Sequence, residues 1–336
     1  MSEASVLSVD GLETVFHTAA GIVRAVRGVS FDVRRGEKLG IVGESGSGKS
    51  AMALSILGLI EPPGEVVAGS VKLNGRELAG RPDRELRAVR GKEISLVYQD
   101  PMSALDPVKT VGAQLVETIR RHDRSVSRGA ARRAAVELLR DVEVPQPERR
   151  LDDYPHQYSG GMRQRVMIAS ALANRPDLVI ADEPTTALDV TTQAQVLELL
   201  DRLVSERGAA IVLITHNLGI VAEFCDTVRV MYAGRLVEGS DTRTLFRAPA
   251  HPYADALLRA VPRPDRLERG PLPAIEGAPP NLAQLPPGCA FEPRCPLGAG
   301  RPECIGEPPA IRTFDGGRSA ECHFAEEQLA RSEVAS

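Results

Sequence analysis

The stretch Gly43-Glu44-Ser45-Gly46-Ser47-Gly48-Lys49-Ser50, entered from a strand candidate at 37–42 and left through an apolar run at 51–60, decides the fold of this chain. It has the form G-x-x-x-x-G-K-[ST]. Its glycines let successive backbone N–H groups curve around phosphate oxygens with no side chain in the way. Lys49 is then placed to reach β- and γ-phosphates and Ser50 to offer a hydroxyl to Mg2+, while the N-terminus of the following helix adds partial positive charge. That helix is expected to run over 51–60 until Pro62-Pro63-Gly64 stops it. A chance glycine-rich turn is the bland alternative, and a strand before with a helix after makes it a poor one.

Working outward, residues 6–36 alternate in short runs such as Leu7-Ser8-Val9, the pattern of antiparallel strands separated by turns. Residues 178–181 and 210–215 are short, nearly all-apolar runs of the kind buried on both faces of a parallel sheet, with a helical pattern over 191–207 between them. Between 101 and 172 the chain is mostly helical in period, clearest over 111–121 and 128–139, with a break at 145–155. The fold class is α/β: a phosphate-loop NTPase core, an antiparallel β subdomain, an inserted helical subdomain over about 100–172 and a small C-terminal cysteine-containing module.

The buried run Leu178-Val179-Ile180-Ala181 ends in Asp182-Glu183. Two adjacent acids are commonly just a strand end. After a phosphate loop, however, the first can hold Mg2+ and the second can orient and deprotonate an attacking water.

Composition sets the class. The chain has 336 residues, 43% of them hydrophobic and 26% charged, enough for a full core and an appendix. A net charge of −4 and the lack of a polybasic tail argue against nucleic acid as partner. The longest apolar runs are strand length, well short of the roughly 20 residues that a membrane helix requires. The N-terminus shows no basic segment followed by an apolar one, so secretion is not indicated and a cytoplasmic address follows. Of the five cysteines, Cys289, Cys295, Cys304 and Cys322 crowd into the last fifth of the chain, which in a reducing compartment points to metal before disulfide. Cys225 stands alone in Val221-Ala222-Glu223-Phe224-Cys225 and reads as a buried apolar filler. Pro262, Pro264, Pro271, Pro273, Pro279, Pro280, Pro286 and Pro287 mark a stiff linker before the cluster.

Tyr158-Ser159-Gly160-Gly161-Met162-Arg163-Gln164 resembles the signature of ABC ATPases, usually written L-S-G-G-Q, and over 6–260 the chain resembles that family. The resemblance implies a Q-loop glutamine at Gln99, a D-loop at Ala187-Leu188-Asp189, a switch histidine at His216 and an adenine-stacking aromatic at Phe16. Taken alone, Gln99 would be a surface amide, His216 a core-edge histidine and Phe16 a core residue; in series they fit one site. ATP would be held by Phe16, Gly43, Ser45, Gly46, Ser47, Gly48, Lys49, Ser50 and Ala51. Mg2+ would fall to Ser50, Gln99 and Asp182, and catalysis to Glu183, His216 and Gln99. Ser159, Gly160 and Gly161 would complete the nucleotide site of a second cassette, because one copy of each motif makes one cassette and not a tandem pair. Two departures, Met162 for the signature glutamine and Asn217 for the aspartate that often follows the histidine, do not touch the groups that face phosphate.

His251-Pro252-Tyr253-Ala254-Asp255-Ala256-Leu257-Leu258 and the cysteine pattern resemble the oligopeptide and dipeptide importer branch, which includes nickel and glutathione systems. That implies a linker over 261–288 and a module over 289–325 whose four cysteines hold a 4Fe-4S cluster, with Zn2+ as the alternative. It further implies a second ATPase subunit (a different chain or a copy of this one), two transmembrane permease subunits, an extracytoplasmic solute-binding protein acting indirectly, and a peripheral place on the cytoplasmic face of the membrane. A soluble ABC ATPase without a membrane partner is the competing class. Such proteins usually carry two cassettes or a coiled-coil insertion, and this sequence has neither.

Overall fold

The structure is a computed structural model and describes residues 5–19, 21–186, 188–261 and 274–335. Pro262, Pro264, Pro271 and Pro273 of the expected linker and Ala187 of the D-loop lie outside them. In chain order the strands are β1 (Ser5–Thr18), β2 (Gly21–Arg34), β3 (Lys38–Val42), β4 (Gly64–Leu73), β5 (Arg76–Glu77), β6 (Ile94–Val97), β7 (Leu178–Asp182), β8 (Ala210–Thr215), β9 (Thr227–Tyr232), β10 (Arg235–Asp241), β11 (Arg312–Phe314) and β12 (Arg318–Ala320). The chain divides into two compact units, one comprising residues up to Leu7, Asp32–Glu37 and Lys72–Leu213, the other Ser8–Phe31, Lys38–Val71 and residues from Ile214 onward.

In the first unit β6 and β7 pair in parallel, and the strands lie in the order β8-β7-β6. Leu178, Val179, Ile180 and Ala181 are all 0% exposed, as an apolar run without alternation requires. The helices Val111–His122, Arg128–Asp141, Gly160–Leu172 and Val190–Arg207 belong to this unit. Each starts on a capping side chain, Thr110, Ser127, Ser159 and Asp189, that accepts a first-turn N–H.

In the second unit β1, β2 and β4 lie in the order β2-β1-β4. Val29, Phe31 and Val33 of β2 are buried while Ser30, Asp32 and Arg34 are exposed, the period-two pattern of a one-faced strand. A second sheet has the order β11-β12-β10-β9-β3, with β3 parallel to β9 and the other pairs antiparallel. The helix after the phosphate loop is Lys49–Ile56, and it ends four residues earlier than the sequence predicts, because Gly58 turns left-handed (φ 61°) before the prolines are reached.

The cysteine-rich tail packs on the strands of this unit. Its strand β12 pairs with β10 through Glu238 with Ala320 and Gly239 with Ser319, so the tail extends the sheet. Phe291 is 1% exposed and packs edge-on to Tyr232 and tilted to Tyr253. Ala250, Ala320, Cys322 and Ala325 form a small apolar cluster with Phe314, Phe324 and Leu329 against it. Residues too sparse to make a core of their own complete one that β9 and β10 begin. Cys225 is buried as expected, beside Gly40.

The segment that follows β10 is fixed by two buried titratable groups. Glu238 accepts the N–H groups of Ala250 and His251, both at 2.8 Å, and His251 Nδ1 accepts the Tyr253 N–H at 3.0 Å. Burial pushes His251 down to about 3 and Glu238 up to about 7. Below the ordinary histidine value of 6.5 the unfolded chain binds a proton that the folded chain refuses, so the His251 contribution falls as pH drops from 6.5 towards 3. Glu238 acts oppositely: between 4.5 and 7 the folded chain keeps a proton that the unfolded chain releases, so its contribution falls as pH rises. Below that window only His251 of these two groups still acts. A His251→Asn variant, which keeps a capping acceptor, is therefore expected to resist acid better than the parent. Unfolding free energies from urea titrations at pH 6 and pH 4 should shift in favour of the variant by up to about 1.4 kcal/mol per pH unit, and parallel pH profiles would count against the assignment.

Candidate active site

The phosphate loop lies wholly in the second unit. Gly43 and Gly48 are dictated by close approach: a Cβ on Gly43 would stand 2.1 Å from the Met231 carbonyl, and one on Gly48, whose φ is 108°, 2.2 Å from the Ala25 carbonyl. Lys49 is 5% exposed, and its ammonium donates to the carbonyls of Gly43 at 2.8 Å and Glu44 at 2.9 Å, which holds it at the centre of the loop. Ser50 follows on the exposed side of the first helical turn, with Ala51 half-buried behind it, so its hydroxyl is an oxygen donor of the hard kind that Mg2+ takes. Ser45 and Gly46 are exposed at the crest and Ser47 is buried beneath it. Phe16 is half-buried in β1, and Gly64 leaves room for its ring edge, since a Cβ there would come within 2.6 Å of Cε1. His216 is exposed directly after β8. Asn217 caps the helix Leu218–Phe224 by accepting the Gly219 N–H at 3.0 Å.

The acidic residues lie in the first unit. Asp182 ends β7 and Glu183 follows with a left-handed backbone (φ 46°), an unfavourable conformation for a side-chain-bearing residue and one found where a site demands a particular direction. Its carboxylate accepts the Thr186 hydroxyl at 2.8 Å and the Gln99 amide at 3.3 Å. The Q-loop glutamine and the acid are thus neighbours, as the order of motifs alone could not show. Thr186 is a site residue that sequence reasoning misses, although it stands three positions after Glu183.

Signature and D-loop also meet in this unit. Ser159 caps the helix Gly160–Leu172 by accepting the Met162 N–H at 3.3 Å, and Asp189 caps Val190–Arg207 by accepting from Thr192 N at 3.0 Å and Thr192 Oγ1 at 2.7 Å. A Cβ on Gly161 would stand 2.7 Å from Thr192 Cγ2, so a glycine brings the two helix starts together. Ser159 and Gly160 are exposed. Two adjacent helix N-termini form a surface suited to an anion.

Known proteins resemble this chain over most of its length. Residues 26–186 match the ABC transporter family model and residues 237–304 match the oligopeptide/dipeptide transporter C-terminal region. The chain is 48% identical over 323 residues to the oligopeptide transport ATP-binding protein OppD of Salmonella typhimurium, covering 96% of this chain and 95% of that one. The chain belongs to the ABC transporter family. It is also 47% identical to the dipeptide transport ATP-binding protein DppD of Escherichia coli K12, over 95% of this chain and 97% of that one. Among solved structures, the dimeric post-hydrolysis ATP-binding cassette MJ0796 bound to ADP and Pi superposes with a TM-score of 0.64 at 29% identity, covering 70% of this chain and 99% of that one. The ABC ATPase fold is thus shared by sequence and by structure. Among the described residues no helix is long and apolar enough to cross a membrane.

The four clustered cysteines of this ABC chain lie together. Cys295, Cys304 and Cys322 are buried and Cys289 is half-buried. A Cβ on Gly298 would stand 2.8 Å from Cys304 Sγ and 3.4 Å from Cys295 Sγ, so this glycine leaves a cradle for sulfur. The Gly298 N–H donates to Cys295 Sγ at 3.1 Å. Burial pushes Cys289 up to about 11 and Cys322 up to about 12, with repulsion from the other thiols adding in each case. Among the described residues no group of three or more His, Cys, Asp or Glu side chains has the arrangement of a metal site. The donor set has four sulfurs within electrostatic reach of one another, but not the geometry of a bound ion.

Proposed function

We propose that this chain is an ATP-hydrolysing subunit of an importer for oligopeptides or dipeptides, acting at the cytoplasmic face of the membrane through two permease subunits and, indirectly, an extracytoplasmic solute-binding protein. The observation that carries this reading is the near full-length similarity to OppD and DppD, which extends through the C-terminal region that a cassette alone would not require. We divide the chain into a nucleotide-binding domain over 6–260, a linker over 261–288 and a module over 289–325. Deleting the gene and supplying a required amino acid only within a di- or tripeptide tests the cargo: growth should fail and return with the gene. Intact growth on peptides with lost nickel or glutathione uptake would move the cargo elsewhere in the same branch.

In the working cassette, residues 43–51 cradle the phosphates and Phe16 lies against adenine. Lys49 neutralises charge at the β- and γ-phosphates, and Ser50, Asp182 and Gln99 supply the oxygens for Mg2+. Glu183, held by Thr186 and Gln99, removes a proton from the attacking water, and His216 contacts the γ-phosphate. Ser159, Gly160 and Gly161 face the nucleotide of a second cassette, with Asp189 beside them at the junction. Closing and opening of the pair bias two states of the permeases.

Cys289, Cys295, Cys304 and Cys322 are assigned to a 4Fe-4S cluster that fastens the tail, with Zn2+ as the alternative occupant. Protein purified without oxygen should be brown, absorb near ~400 nm and carry about four iron and about four sulfide per chain. Cys295→Ser should bleach it and lower the melting temperature of the tail. A colourless preparation with one tightly held zinc would replace the cluster but keep the fastening, and one with no metal would reject both.

A further inference from the structure

The C-terminal region holds the phosphate loop by its second residue. Glu44 stands between Gly43, whose carbonyl accepts from Lys49, and the crest of the loop. Its own N–H donates to Tyr253 Oη at 2.8 Å and its carbonyl accepts from Lys49 Nζ at 2.9 Å. Its carboxylate takes both arms of the Arg294 guanidinium, at 2.7 Å from Nη1 and 3.0 Å from Nη2. Every polar group of Glu44 is therefore fixed, two of them by residues more than two hundred positions away. Neither partner lies in 26–186, the part that matches the ABC transporter model, and both lie in 237–304.

The two partners are themselves built in. The Arg294 side chain is 6% exposed, and its Nε donates to the Glu276 carbonyl at 2.9 Å and its Nη1 to Tyr232 Oη at 3.3 Å. It lies over the rings of Tyr232 and Phe291 at 5.9 and 6.0 Å. Tyr253 is 0% exposed, its ring 4.4 Å from that of Tyr232, at the start of a helix that Glu238 and His251 tie to β10. A bidentate pair with so little water access is directional and is expensive to half-remove, unlike an exposed salt bridge. A merely tail-fastening interaction would have served on any surface of β9 or β10. This one ends on the residue whose carbonyl orients Lys49.

We propose that Arg294 and Tyr253 are positioning residues of the phosphate loop, acting through Glu44 to hold the backbone N–H groups and Lys49 in the arrangement that receives the β-phosphate, so that nucleotide affinity depends on the C-terminal region. The proposal rests on the reading of 43–50 as the ATP loop. It makes the tail part of nucleotide binding and not an appendage to it. Preorganised donors lose affinity when their support is cut, even where every donor remains.

The test uses the full chain and equilibrium titration with the β,γ-imido analogue of ATP, with thermal melting run alongside. Arg294→Ala and Glu44→Gln should each weaken binding about tenfold, the effect expected when one charge-assisted hydrogen bond is removed. Their combination should be no weaker than the worse single variant, because both cut the same link. Tyr253→Phe, which removes one hydroxyl from a packed ring and keeps the fold, should weaken binding about threefold, and Arg294→Lys should recover part of the Arg294→Ala loss. In the assembled transporter Arg294→Ala and Tyr253→Phe, which lie outside the loop, should raise KM for ATP and leave kcat within about threefold. Unchanged affinity in Tyr253→Phe together with Glu44→Gln would overturn the proposal, and so would additive losses in the double variant. Failure of the unaltered chain to bind the analogue would instead overturn the reading of the loop itself.

Discussion

Glu183→Gln should leave ATP binding intact and reduce hydrolysis in the assembled transporter by about 100-fold to 10,000-fold, the usual cost of removing a positioned general base. The carboxylate is well supported for that work: Thr186 donates to it at 2.8 Å and Gln99 at 3.3 Å, and a left-handed backbone at φ 46° turns it out of the line of β7. An amide of the same shape keeps packing and reach but cannot accept a water proton. Binding should survive because the loop at 43–50, with Lys49 5% exposed and fixed by carbonyls, is untouched. Uncleaved ATP should then trap paired cassettes, visible as a slowly dissociating dimer in size-exclusion chromatography with Mg-ATP. Turnover at half the unaltered rate would remove Glu183 from the role of base.

The second large effect concerns sharing of the site between chains. Ser159 is exposed and caps the helix Gly160–Leu172, and Gly161 lets that helix start sit against Thr192. Ser159→Arg puts a long cation at the helix start that we propose meets the nucleotide of the partner cassette. It should therefore abolish hydrolysis of the nucleotide bound by the partner, while the ATP at Lys49 of the same chain remains bound. Lys49→Ala does the converse. In a preparation where the chain pairs with itself, each variant alone should be inactive. An equal mixture should regain roughly a quarter of the activity, because half of the dimers then contain one complete site out of two. Full activity of the unaltered chain in a dilute, demonstrably monomeric sample would show a site complete within one chain.

Much of this architecture is legible in the sequence because it is local. The phosphate loop announces itself by glycine spacing, the strands β7 and β8 by unbroken apolar runs, and the helices by caps such as Thr110 and Ser127. What stays hidden depends on φ or on pairings far apart in the chain. The helix after the loop stops at Ile56 because Gly58 takes a left-handed turn, and a glycine followed by two apolar residues gives no sign of that choice. The direction of Glu183 is a backbone property of one residue. The docking of the tail is hidden for another reason: Phe291 and Ile311 look equivalent among prolines and charges, yet one is 1% and the other 59% exposed, because only the first meets Tyr232 and Tyr253. Tyr253 and Arg294 stand inside motifs that mark a family branch, but their shared partner Glu44 lies more than two hundred residues away, and no periodicity connects them.

The central claim, that this chain converts ATP hydrolysis into peptide uptake, is tested most directly in proteoliposomes containing the chain, its partner cassette and both permeases. The quantity to measure is labelled-peptide accumulation with the peptide-loaded binding protein outside and Mg-ATP inside. The account predicts ATP-dependent accumulation together with hydrolysis stimulated by the loaded binding protein, both lost in Glu183→Gln. Hydrolysis by this chain that is indifferent to the permeases and the loaded binding protein, with no peptide accumulated, would contradict it.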